Sequence, residues 1–447
     1  MKFRIILVCA VLMCSMGMKV HTEIPVANVF ELMDEINRVK KDALWPGFHP
    51  GEIPTAIFDG INTYLFKHPS PPEAFMVLRE KEDAWVFKGQ YSQVRGNSRV
   101  QLNGTWTATS VLRTHSRLTG EKYSRQNLAG IIIHEQFHVF QKLKHPDWRP
   151  NDGYLFNYPL DTPEMLALRR LETEALRRAV IAPSHEEGSG WVKEALRWRD
   201  KRHLLLDDVL IRYEGELQSF EGLAEYIECR SGGKDLARIP VDPGFAPAAI
   251  RHLGYLLGRW TAAILDRLDP YWKETMESGK AEYLHEILET TVPSSDHTFV
   301  FSDEEQKSFL QKAKEDIEDR RKTVERLRKE FESQPGYRIE IASFKTPLGL
   351  VMFFADRTEA LSQRELLHGF LLVLRNDIGA ITVRELLSLT ENNGSTGVEK
   401  LTVAGITEKP VIENIEGKIK ITAKGFHAEF SEAEVEEHQN GIRIVLH

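Results

Sequence analysis

Residues 129–140 read Ala129-Gly-Ile-Ile-Ile-His134-Glu135-Gln-Phe-His138-Val-Phe140. As a helix, this stretch sets His134 and His138 four residues apart on one face, where two imidazoles can approach one metal ion. Glu135 stands one residue round from the first, where its carboxylate can reach water at that ion. The flanking residues predict the helix. Ser124 is an N-cap, apolar residues follow at Leu128, Ile131, Ile132, Ile133, Phe137, Val139, Phe140 and Leu143, and His145-Pro146 ends it. The stop is steric, because a residue before proline resists the α conformation. Two histidines and a glutamate inside so apolar a helix are costly to bury unless paired or metal-bound. Coincidence is the competing explanation of the pattern.

A catalytic zinc site takes three protein ligands and keeps one position open. Phe220-Glu221-Gly222-Leu-Ala224-Glu225-Tyr226 can supply the third. Glu221 is the expected ligand. Glu225, four residues on and on the same face, is placed to accept the free ring N–H of a histidine ligand. Gly222 and Ala224 are small and would let this helix approach the motif helix closely. The alternative is a surface helix rich in glutamate, since Glu214, Glu216 and Glu228 lie nearby. Glu214-Gly215 even echoes Glu221-Gly222 one heptad earlier, but Gln218 stands where the following carboxylate should be.

The pair of motifs, His134-Glu135-x-x-His138 and Glu221-Gly-x-Ala-Glu225-Tyr, resembles the gluzincin metallopeptidases, in which a second helix carries Glu-x-x-x-Asp or Glu. The likeness covers two short motifs within residues 120–275. It implies a zincin-like peptidase domain in two subdomains, with zinc between them held by His134, His138 and Glu221. It also implies a peptide or protein substrate and Glu135 as general base. Two departures are visible. The gap from His138 to Glu221 is far longer than in the thermolysin-like enzymes, and the Gly-x-Met-Glu-Asn signature of the aminopeptidase branch is absent. A donor for the developing oxyanion is expected in Arg251-His252-Leu-Gly254-Tyr255-Leu-Leu-Gly258-Arg259, because similar families carry a Tyr or His on a helix after the ligand glutamate. Tyr255 is the first choice and His252 the second, with a core aromatic as the alternative reading of Tyr255. The alternative function is a non-catalytic, peptidase-like metal-binding protein that binds peptides or a protein partner through its cleft and C-terminal β domain. The presence of Glu135 speaks against it, since such a protein has no use for a base there.

The rest of the chain frames this centre. Its 447 residues allow two to three domains, and 42% hydrophobic with 28% charged residues is a globular composition. A net charge of −8 argues against a sequence-independent nucleic-acid binder. Lys2 and Arg4 precede an apolar run from Ile5 to Met13 that is too short for a membrane span, and small residues follow at Ser15 and Gly17. Residues 1–17 therefore read as a signal peptide, with export to the periplasm or the extracellular space and no transmembrane segment after its removal. Lipid anchoring at Cys14 is disfavoured because Met13 occupies a position that usually holds a small residue. With Cys9 and Cys14 removed, only Cys229 of the three cysteines remains, so no intramolecular disulfide is expected.

The fold class is α+β. A metallopeptidase domain over 18–334 is expected, with a small N-terminal sheet and a mostly helical remainder, followed by a β-sandwich or barrel over 335–447. In the first part, residues 25–44 predict a helix. Strands are predicted between 54 and 112, with an Asn103-Gly104 hairpin turn. Thr105–Leu112 is the candidate edge strand for pairing with a peptide, or else an ordinary hairpin strand. Helices are predicted over 163–182, 189–230 and 281–290, and a long charged helix over Ser302–Glu332. Beyond Gln334-Pro-Gly336 the pattern turns to short strands.

Overall fold

The computed structural model describes residues 26–79, 83–116, 120–159, 161–238, 249–293, 299–343, 345–354, 357–392 and 397–446. The expected signal segment, Cys14 and the Asn393-Gly394 turn lie outside them. The fold is α+β, with a small mixed sheet near the N-terminus, a helical middle and a large, mainly antiparallel C-terminal sheet.

Helix α1 (Val29–Asn37) is capped by the Asn28 side chain and buries Val29, Leu32, Met33 and Ile36. It is shorter than the predicted 25–44. Six strands follow: β1 (Thr55–Phe58), β2 (Asn62–Phe66), β3 (Met76–Val77), β4 (Ala84–Lys88), β5 (Ser98–Leu102) and β6 (Thr105–Val111). Their order in the sheet is β3-β4-β2-β1-β6-β5, with β1 and β6 parallel. The Asn103-Gly104 turn takes positive φ at both residues, as a tight two-residue hairpin requires. That hairpin corrects one expectation. It folds β5 back over β6, so Thr105–Val111 is an interior strand and Ser98–Leu102 is the edge.

The motif helix α2 (Arg125–Lys144) starts as expected: the Ser124 hydroxyl accepts from the Asn127 backbone and the Asn127 side chain accepts from the Ser124 backbone. It ends at His145. Ile132, Ile133, Phe137 and Val139 are fully buried between the small sheet and the later helices. Each such side chain contributes about 1.5–3 kcal/mol, which offsets the desolvation of His134, Glu135 and His138 on the same helix.

Helices α3 (Pro163–Ile181), α4 (His185–His203), α5 (Asp208–Leu217), α6 (Leu223–Gly232), α7 (Ile250–Leu268), α8 (Trp272–Glu277) and α9 (Leu284–Thr291) complete the helical region. The predicted helix over 189–230 is therefore broken. Leu204–Leu206 form a turn, and the Asp207 carbonyl restarts the chain by accepting from Leu210 and Ile211. Between α5 and α6 the helix widens into one π turn, Gln218–Gly222. The main core gathers residues of α1, α2, α3, α4, α6, α7 and α9.

Helix α10 (Asp303–Glu332) is 30 residues long and starts at a Ser302/Glu305 capping box. Ala313 and Ile317 in its first half pack on Leu166 and Ala167 of α3. Phe331, Val324 and Leu327 in its second half pack on Leu361, Leu367 and Leu389 of the C-terminal sheet. That sheet has 13 strands among the described residues, between Tyr337 and Leu446. The strand Gly397–Ile406 pairs with Leu348–Phe353 at its start and with Tyr337–Ala342 further on, and residues of all three strands share one core. No helix among the described residues is long and apolar enough to cross a membrane.

Candidate metal centre

Three helical pieces converge on one point. Helix α2 supplies His134, Glu135 and His138, all buried. The π turn supplies Glu221, also buried. Helix α7 supplies Arg251 and Tyr255 from the far wall. Glu221 Oε2 lies 3.1 Å from His138 Nε2 and 3.9 Å from His134 Nε2. Ligand atoms of these three residues all lie within 4.8 Å of one another, close enough to hold a metal ion.

The helices can meet because small residues stand at their crossings. A Cβ on Gly130 of α2 would come 2.9 Å from the Glu228 carbonyl and the Gly232 Cα of α6. Gly222, expected to ease packing on α2, instead faces α7: a Cβ there would come 2.5 Å from Gly258 Cα and 3.0 Å from the Gly254 carbonyl.

This antiparallel crossing also decides which carboxylate serves the histidines. Gly130 lies against Gly232, and one turn along α2, His134 Nδ1 lies 3.2 Å from Glu228 Oε2. Glu225, expected in that role, is one residue off this register and accepts from Arg259 at 3.1 Å. It still lies in the same small cluster with His134 and Glu228. Glu228 is also paired with Lys234. His138 has a partner that the sequence did not single out. Its Nδ1 is 2.8 Å from Gln141 Oε1, and Gln141 Nε2 donates to the Phe220 carbonyl at 3.1 Å. The second bond fixes the amide so that its oxygen faces the ring. A neutral His138 then donates from Nδ1 and turns the bare lone pair of Nε2 toward Glu221.

This donor set fits a cation. Each imidazole is bracketed by acceptors, Glu228 and Glu221 for His134, Gln141 and Glu221 for His138. Burial opposes charge on His134, but Glu228, Glu135 and Glu221 raise it to about 9. Burial lowers His138 despite Glu221. Burial also works against the Glu221 anion, yet His138, Arg251 and His134 hold its carboxyl well below the usual range. A pocket this rich in acceptors draws positive charge, and two imidazoles with one carboxylate form a common zinc ligand set.

Glu135 is not used as a ligand in this geometry. Burial pushes its carboxyl up to about 7, with Glu221 and Glu228 adding to the rise and His134 opposing it. It faces a cleft of about 410 Å³ bounded by Ser98 and Arg99 of β5, Trp106 of β6, the 149–152 loop, the π turn and α7. Tyr255 lines that cleft, stacked beside His134 at 6.3 Å between ring centres. Burial and the neighbouring Glu221 keep its hydroxyl protonated. His252 is exposed and is not among the lining residues. Arg251, and not the second-choice donor His252, stands on that wall beside Tyr255. It donates to Glu221 Oε1 at 2.8 Å and to Asp152 at 2.5 Å. No family model, curated protein or solved structure matches the chain.

Proposed function

We propose that the chain is an exported, zinc-dependent peptidase of the gluzincin type. One observation carries the reading: His134, His138 and Glu221 converge on a single point that opens onto a cleft, with the non-ligand carboxyl of Glu135 beside them. Zinc held there would polarise a substrate carbonyl and acidify water.

The protein's own groups divide the remaining work. Glu135 takes the proton of the attacking water and returns it to the leaving amine, a role suited to a carboxyl raised toward neutrality. Tyr255 would donate a hydrogen bond from its protonated hydroxyl to the oxyanion as charge develops, keeping its own proton. Arg251 fixes Glu221 and leaves one carboxylate oxygen, Oε2, facing the histidines. Edge strand β5 lies on the rim of the cleft, so an extended peptide can pair with it through main-chain hydrogen bonds.

The test is elemental analysis together with a peptide-library cleavage assay. The wild type is expected to carry about one zinc per chain. Glu221→Ala should lose most of it. Glu135→Gln should keep its zinc and lose cleavage by roughly 10²–10⁴-fold. A wild type without zinc overturns the reading, and zinc without cleavage leaves a metal-binding protein that is not a peptidase.

A further inference from the structure

The cleft holds more positive charge than its ligand set uses. Three arginines line it: Arg99, Arg149 and Arg251. Arg251 is engaged by Glu221 and Asp152. Arg99 and Arg149 make no ion pair with a carboxylate among the described residues.

The two have different supports. Arg99 rises from edge strand β5 and is half-buried, its guanidinium 5.0 Å from the centre of the Phe220 ring. That ring is itself stacked on His138 at 4.4 Å. Stacking holds a guanidinium by its face and leaves its N–H fork free for another partner. Arg149 is exposed on the loop after α2 and lines the same cleft. Burial lowers the Arg99 guanidinium and the charge of Arg149 lowers it further, while Glu221 and Glu135 oppose the fall from a distance. Both guanidinia therefore face the cleft with no carboxylate paired to them among the described residues. The lining arginines are balanced only by Glu135, Asp152 and Glu221. A dication held at the histidines would leave the cleft net positive.

We propose that Arg99 and Arg149 form a carboxylate-binding subsite in the cleft, so that the preferred peptide carries a carboxylate close to the bond offered to the metal site. The carboxylate is the peptide's own C-terminus or an Asp or Glu side chain. Both present the planar pair of oxygens that an arginine fork grips with two parallel bonds. The inference rests on the peptidase reading for the word "preferred", while the binding site itself stands or falls alone.

The experiment uses the full chain carrying Glu135→Gln, so that peptides bind without turnover, and reads affinity by titration calorimetry. Three peptides share one neutral core: a C-terminal amide, the free acid, and the amide with a glutamate near its end. At least one carboxylate peptide is expected to bind roughly tenfold more tightly than the plain amide. Which one does so identifies the source of the carboxylate. Arg149→Gln and Arg99→Leu should each erase the difference between the peptides while zinc content stays unchanged. Arg149 is exposed, so its variant tests the idea even if Arg99→Leu fails to fold. The preference should persist after chelation of zinc, which separates the arginines from carboxylate bound directly to metal. Equal affinities for all three peptides overturn the subsite, and they leave the peptidase reading intact where the wild type holds zinc and cleaves. A preference that survives in a protein without zinc or cleavage overturns the peptidase reading and leaves the subsite. A preference that disappears on chelation, or equal weakening of all three peptides in both variants, also overturns it.

Discussion

Glu228 and Gln141 each address the ring nitrogen that its histidine turns away from Glu221. Removing such a partner frees the imidazole to rotate and lowers its basicity. Glu228→Gln should therefore weaken zinc binding by roughly 10–100-fold, measured by competition with a chromophoric chelator. Glu225→Gln should weaken it far less, since Glu225 is held by Arg259. Melting temperatures of both variants check that the fold survives, and equal losses of affinity would refute the assignment of Glu228. His134, Glu135 and His138 were legible in the sequence because helical spacing places them on one helix, and Glu221 because a second carboxylate follows it four residues on; the π turn that aims Glu221 was not. The choice between Glu225 and Glu228 was not, because it depends on how α2 and α6 are set against each other. Tyr255 and His252 likewise differ by less than one helical turn, and only the packing of α7 tells which one faces the cleft. Arg99 and Arg149 belong to no motif. Their meaning comes from a shared wall between segments far apart in the chain.

Among the elements, the join between α5 and α6 does the most to build the site. In an unbroken α-helix, residues seven apart return to within about 20° of each other. Glu214 and Glu221 are such a pair, yet Glu214 grips Arg202 and Glu221 faces the histidines. The π turn between them provides the rotation, and turns of this type recur at functional sites. Gly222 keeps that turn pressed on α7. Gly222→Ala should cost about 1–3 kcal/mol in denaturant unfolding and weaken zinc binding through displaced Glu221. Gly96→Ala, where a Cβ meets nothing within 4 Å, is the control and should change neither. Unchanged zinc affinity in a destabilised Gly222→Ala would separate packing from ligand placement. The hairpin at Asn103-Gly104 was readable because turn chemistry is local. The identity of the edge strand was not, because it depends on the parallel pairing of β6 with distant β1.

At the scale of the whole molecule, stability should depend on acid through a buried charge network. Glu172 accepts from Arg199 and Arg202, and Glu214 accepts twice from Arg202. Burial works against both anions, but the arginines hold both carboxyls below their ordinary range. Their stabilisation is therefore complete above the unfolded value of about pH 4.3 and is lost as pH falls through the folded values. Glu214→Gln should lower stability by about 3 kcal/mol at pH 7. It should also flatten the fall in melting temperature between pH 5 and pH 3, and a variant as acid-sensitive as the wild type would remove this network from the explanation. The α+β class and the turn to strands after residue 336 were evident from periodicity. The branching order of the C-terminal sheet was not, since it rests on one strand, Gly397–Ile406, exchanging partners along its length. Helix α10 joins these regions. Its 30 residues span about 45 Å. Arg170–Asp316 and Arg178–Glu305 fasten its first half to α3, and Arg320–Glu359 and Arg328–Glu365 fasten its second half to the sheet. In mechanical terms it is a tie-beam rather than a tether. A beam bolted at both ends transmits torque, so a turn of the sheet would load α3, which packs in the same helical region as the metal centre.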